Sequence, residues 1–129
     1  MQPQSDGHGD GLDVIYRDTR ARVAHLLSTL ADEQWELPVP ATPQWRVRDV
    51  VAHLAGGAVD AAIGRIEGAP GPAWTARHVD ERRTIPAHQL LGEWHAVAPV
   101  IEKGLAGQRF TGPNIAADLI CHEADLREA

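Results

Sequence analysis

Cysteine is nearly absent: Cys121 is the only one. No internal disulfide can form, which suits a reducing compartment, so the expected setting is the cytoplasm. Cations are the minority. Twelve Lys and Arg stand against 18 Asp and Glu, a formal net charge of -6 with histidine neutral. A protein that grips phosphates needs a cationic surface, so nucleic acid is not an expected partner. Long apolar runs are missing. Nothing approaches the roughly 18 apolar residues of a membrane span. The polar N-terminal stretch lacks the apolar segment of a signal peptide. Aromatics are scarce, at 5%, so aliphatic side chains and alanine must fill the core. Strand-type alternation and internal repeats are lacking too, which leaves helices.

What is present is enough for one domain. The chain has 129 residues, 43% of them hydrophobic, sufficient for a core at this size. Residues 1–10 read as a disordered lead containing an isolated His8, and residues 11–129 as the folded unit. Asp10 can cap a first helix, with Asp13 in its first turn. Leu12, Ile15, Tyr16, Thr19, Val23, Leu26, Leu27 and Leu30 then recur at helical spacing. Pro38, Pro40 and Pro43 make 32–46 a connection that Trp35, Leu37 and Trp45 must pin down. A second helix is expected from Val47 to about Glu67, weakened by Gly56, Gly57 and Gly64, which also permit close helix contact. Residues 69–85 read as the longest connector, a crossover or lid anchored by Trp74. Pro86 opens a third helix with Leu90, Trp94, Val97, Ile101 and Leu105 inward and a kink expected at Pro99. Asn114 can cap a fourth, to about residue 128. The expected fold is all-α: a four-helix bundle with long helix 1–2 and helix 2–3 connections.

The chemistry gathers on two helices. Val47, Val50, Val51, Leu54 and Ala58 share one side, and His53 lies at the edge of that stripe, about 60° from Val50 at 3.6 residues per turn. Asp118 and His122 stand at i and i+4, neighbours on one face. Ile115, Leu119, His122 and Leu126 share a stripe, so His122 points toward the core. Two inward histidines and a carboxylate from two helices suit a metal such as zinc. Asp49 and Asp125 could each accept the outer ring N–H of a ligand histidine, although Asp49 is also placed to support the start of its helix through Arg46 or Arg48. Asp60, two turns beyond His53, is expected to be exposed. Cys121 is expected to be buried and inert. His88 and His95 are expected at the surface, and the run Glu81-Arg82-Arg83 on a solvated face. His78 would reach the site only if its connector folds over it.

The stretch Trp45-x-Val47-Arg48-Asp49-x-x-Ala52-His53-Leu54, paired with Asp118-x-x-x-His122-x-x-Asp125, resembles the two motifs of the DinB-like superfamily. The nearer likeness is to the N-terminal, metal-binding domain of mycothiol-dependent maleylpyruvate isomerase and its relatives, over roughly residues 12–129. The resemblance implies a four-helix bundle with a divalent metal, commonly zinc, on His53, Asp118 and His122. It also implies a low-molecular-weight thiol such as mycothiol as cosubstrate, in isomerase or transferase chemistry. Three protein ligands with an open fourth position mark a catalytic metal rather than a structural one. No protein nucleophile is then required.

The expected function is therefore a thiol-using metalloenzyme acting on a small molecule, with no membrane partner. A hydrolase on the same bundle, with water in the thiol's place, is one alternative. A non-enzymatic module that binds a small ligand or a partner is another. A bundle this small could also pair with a second copy through an exposed helix face.

Overall fold

The computed structural model describes residues 11–106 and 112–128, with backbone alone at 106 and 112–117. His8 and the Asp10 cap therefore lie outside the described residues. Five helices and one short hairpin are present among them. The fold is mostly helical, as composition and periodicity require. The expected four helices are present, but the two long connections between them carry elements of their own.

Helix α1 runs Leu12–Ser28. It buries Tyr16, Thr19, Val23 and Leu27 at the expected spacing, while Ile15 is exposed. The first connection is not irregular. A 3₁₀ turn at Asp32–Glu36 buries Trp35, and the Ala31 N–H donates to Gln34 Oε1 at 2.7 Å. Strands β1 (Pro38–Val39) and β2 (Thr42–Arg46) then pair antiparallel, with Pro38 opposite Arg46 and Val39 opposite Thr42. Val39 is fully buried, whereas Leu37, expected to pack, is exposed. A two-residue strand is too short to show alternation in a sequence.

Helix α2 spans Val47–Ile63 and is the centre of the molecule. Twelve of its residues are buried, on every side. A helix with apolar and small residues all round is one that neighbours enclose. Here α4 and α5 pack on it, and so does a helix the sequence pattern did not reveal. It ends at Gly64, in the left-handed conformation with φ 78, not near Glu67. Only glycine adopts that conformation without steric cost, which makes it a natural helix stop.

The missed helix is α3, Pro72–Glu81, inside the supposed connector, with proline at its start. Its inward face is Trp74 and His78, continued by the C-cap residue Arg82, four residues apart, which are half-buried, fully buried and buried. Polar and aromatic residues at helical spacing carry little hydrophobic signal. Gly56 of α2 lets α3 come close: a Cβ there would meet the His78 Cβ and Cγ at 2.7 Å.

Helix α4, Ala87–Ala106, contains Pro99. It buries Leu90, Trp94, Ala98, Ile101 and Leu105 against α1 and α2. Trp94 Nε1–H donates to the Tyr16 hydroxyl at 2.9 Å, and burial pushes the tyrosine pKa up to about 12. Helix α5, Gly112–Glu128, starts two residues before Asn114 and packs on α1 and α2 through Leu119 and Leu126. No helix among the described residues is long and apolar enough to cross a membrane.

Candidate metal centre

Three elements meet at one end of α2. The hairpin brings Trp45 to the start of that helix. Asp49 fixes the junction, its Oδ2 accepting the Arg46 backbone N–H at 2.9 Å and the Arg46 Nε–H at 3.3 Å. Asp49 is thus engaged by Arg46 and not by a histidine. One turn later His53 points across to α5. It is 4% exposed, and its Nε2 lies 2.9 Å from Asp118 Oδ2. On α5 the i, i+4 spacing puts His122 Nε2 at 3.3 Å from Asp118 Oδ1. One ligand atom from each of the three residues falls within 4.8 Å of the others.

Charge is distributed unevenly over this cluster. The Asp118 side chain is 46% exposed, against 5% for His53 and 12% for His122, so the carboxylate marks the open flank. Burial raises the Asp118 carboxyl pKa, but hydrogen bonds with His122 and His53 outweigh it and hold the group well below the usual carboxylate range. Burial lowers the His122 imidazole pKa, yet its bond to Asp118 and the nearby Asp125 charge raise it overall. Asp125 Oδ2 lies 3.3 Å from His122 Nδ1, off the line of a good hydrogen bond, and that buried nitrogen has no other partner among the described residues.

Two tryptophans wall the cluster. The Trp45 ring centroid is 5.8 Å from His53 and 6.5 Å from His122. Trp74 stands edge-on to His53 at 6.3 Å and to His78 at 4.3 Å. His78, expected in a loop, is fully buried and meets His53 edge to edge, the rings 23° from parallel and their Nδ1 atoms 3.2 Å apart. Its own Nε2 meets Asp60 Oδ2 at 3.0 Å. Burial lowers the His78 pKa to about 4. Asp60, expected at the surface, is 2% exposed and accepts from Arg77 Nη2 at 2.6 Å.

The other candidates lie elsewhere. Cys121 is exposed, not buried. His88 is exposed, and His95, also exposed, meets Arg20 through Nδ1 at 2.8 Å. Arg82 is buried in a two-pronged pair with Glu93 at 2.8 and 3.0 Å, so it is not on a solvated face. An apolar cleft of about 250 Å³ opens between Leu26, Leu30, Leu37, Val47 and Leu126, and includes none of the cluster residues.

The donor set suits a divalent cation. Bonds of about 2 Å place tetrahedral ligand atoms about 3.3 Å apart. The two carboxylate–imidazole contacts are already near that spacing. With His122 bound through Nε2, its Nδ1 would carry the proton, beside Asp125, as outer carboxylates on ligand histidines do.

Comparison with known proteins adds one match. A family model described as the mycothiol maleylpyruvate isomerase N-terminal domain matches residues 16–111. That span includes His53, Asp60 and His78 and ends before Asp118. No curated protein and no solved structure matches the chain.

Proposed function

The chain belongs to the mycothiol maleylpyruvate isomerase N-terminal domain family, a DinB-like family, and from that membership we propose that it is a metal-dependent enzyme using a low-molecular-weight thiol of the mycothiol kind. The reaction class is transfer or isomerisation. The observation that carries this reading is the approach of His53, Asp118 and His122 to within 4.8 Å. The mutual packing of α1, α2, α4 and α5 supports reading them as the family's bundle, with α3 laid over α2 and residues 11–129 as one domain.

His53 Nε2, the Asp118 carboxylate and His122 Nε2 would hold the ion, zinc being the first choice for two imidazoles and a carboxylate. Bound there, it supplies Lewis acidity that makes a thiol nucleophilic at neutral pH. The protein does the rest. His53 and His122 fix the donor geometry from two helices. Asp118 supplies the negative charge and lies on the exposed flank, where a thiol and its electrophile can enter. Trp45 and Trp74 pack beside the His53 ring. Cys121 is exposed and outside the cluster, so the nucleophile comes from the thiol cosubstrate.

Metal analysis of the purified protein tests this. Near-stoichiometric zinc-class metal is expected, and it should be lost in His53→Ala and His122→Ala. Wild-type protein that binds no divalent ion rejects the reading. Turnover that persists when thiol is removed would instead indicate hydrolysis.

A further inference from the structure

A chain of buried polar contacts leads away from His53, on the side opposite the cluster. It starts at Asp60, two turns along α2. Asp60 Oδ2 faces Arg77 Nη2 at 2.6 Å and His78 Nε2 at 3.0 Å, and Arg65 Nη1 is 4.0 Å from Oδ1. With guanidinium groups as its other neighbours, this carboxylate acts as an acceptor. His78 Nε2 must therefore carry the ring proton. A neutral imidazole has one such proton, so His78 Nδ1 is bare. That bare nitrogen sits 3.2 Å from His53 Nδ1. Two bare nitrogens repel at this distance, so His53 Nδ1 carries a proton and donates it. That commits Nδ1 and leaves Nε2, the atom 2.9 Å from Asp118, as the His53 nitrogen a cation can take by displacing the proton shared with the carboxylate.

We propose that Asp60 and His78 form a tautomer clamp, two positioning residues that dictate which nitrogen of His53 is free to bind a cation. This rests on His53 being a metal ligand. The clamp works across helices: Asp60 and His53 belong to α2, and His78 reaches between them from α3. A carboxylate commonly bonds a ligand histidine directly; here an imidazole is interposed. The packing fits the role. Gly56 leaves no room for a Cβ beneath His78, and Trp74 closes the outer edge of the ring. His78 is fully buried, so water cannot substitute for either bond. Such a ring is poorly placed to meet substrate and well placed to hold a neighbour.

The test combines two readouts. Long-range ¹⁵N NMR of the imidazoles in metal-free wild type, near pH 8 and so above the usual histidine range, should show a proton on His53 Nδ1 and on His78 Nε2. Chelator competition with Zn²⁺ or Co²⁺ should show affinity falling ~10–100-fold in Asp60→Asn and His78→Phe, the usual size for an outer-shell partner. In Asp60→Asn the amide can donate to His78, move the His78 proton to Nδ1 and take the proton from His53 Nδ1. Finding His53 Nδ1 without a proton, or the His78 proton on Nδ1, in the wild type overturns the clamp, even if no variant folds. Folded variants that bind within about twofold of wild type also overturn it, against the tenfold minimum expected. Wild type that binds no metal overturns the ligand reading instead, and the NMR result then judges the clamp separately.

Discussion

His53 has both ring nitrogens engaged, Nε2 at Asp118 and Nδ1 at His78, and each contact has a different origin in the sequence. The first is legible. An i, i+4 carboxylate–imidazole pair and a histidine beside an apolar stripe are helix-geometry facts that spacing exposes. The second is not, because no spacing within α2 says which residue of α3 will lie on it. Asp60 looked like a surface acid for the same reason: its partners, Arg77 and His78, come from another element. Asp118→Asn should keep the shape but remove the anion between two imidazoles. Metal affinity should fall by more than the ~10–100-fold of an outer-shell change, read by chelator competition; unchanged affinity would remove Asp118 from the site. His78 makes a pH prediction. Its folded pKa, about 4, is below the unpaired value of 6.5, chiefly through burial. As pH falls the unfolded chain takes the proton first, so this group costs stability from about pH 6.5 down to about 4. Urea midpoints of metal-free protein across that window should decline, and His78→Phe should flatten the decline. An equal slope in the variant contradicts the assignment.

Among the elements, α1, α2, α4 and α5 announce themselves through apolar periodicity, and α3 does not. Its buried face is Trp74 and His78, continued by Arg82, so the burial signal is written in residues that usually indicate a surface. The β1–β2 hairpin is hidden by its brevity and by three prolines. The end of α2 shows how a single glycine decides a boundary: Gly64 stops the helix before Pro70 is reached. The α2–α3 contact is the element-level feature on which the site most depends. Gly56→Ala should force His78 outward, since the added carbon would meet its Cβ and Cγ at 2.7 Å. Overpacking of this kind costs about 1–3 kcal/mol. Thermal unfolding should show that loss together with weaker metal binding. Loss of stability without any change in binding would mean that α3 does not support His53.

Among the described residues, the cluster lies at the edge of the apolar core, with Trp45 between them. The core runs from Tyr16 and Val23 through Val50 to Leu90, Trp94, Ile101 and Leu105, whereas the cluster joins α2 and α5 at the rim, with Asp118 facing solvent. Stability and chemistry should therefore come apart. Ile101→Ala should cost about 2–5 kcal/mol, as truncation of a fully buried aliphatic does, and leave the metal affinity of the folded fraction unchanged. Denaturant titration beside metal titration checks both halves. The central claim is that one cation is shared by α2 and α5. The most direct measurement is anomalous diffraction from zinc-loaded crystals. A single peak should appear about 2 Å from His53 Nε2, an Asp118 oxygen and His122 Nε2, the normal bond length for these donors. Metal bound elsewhere, or no peak between these three side chains, would contradict it.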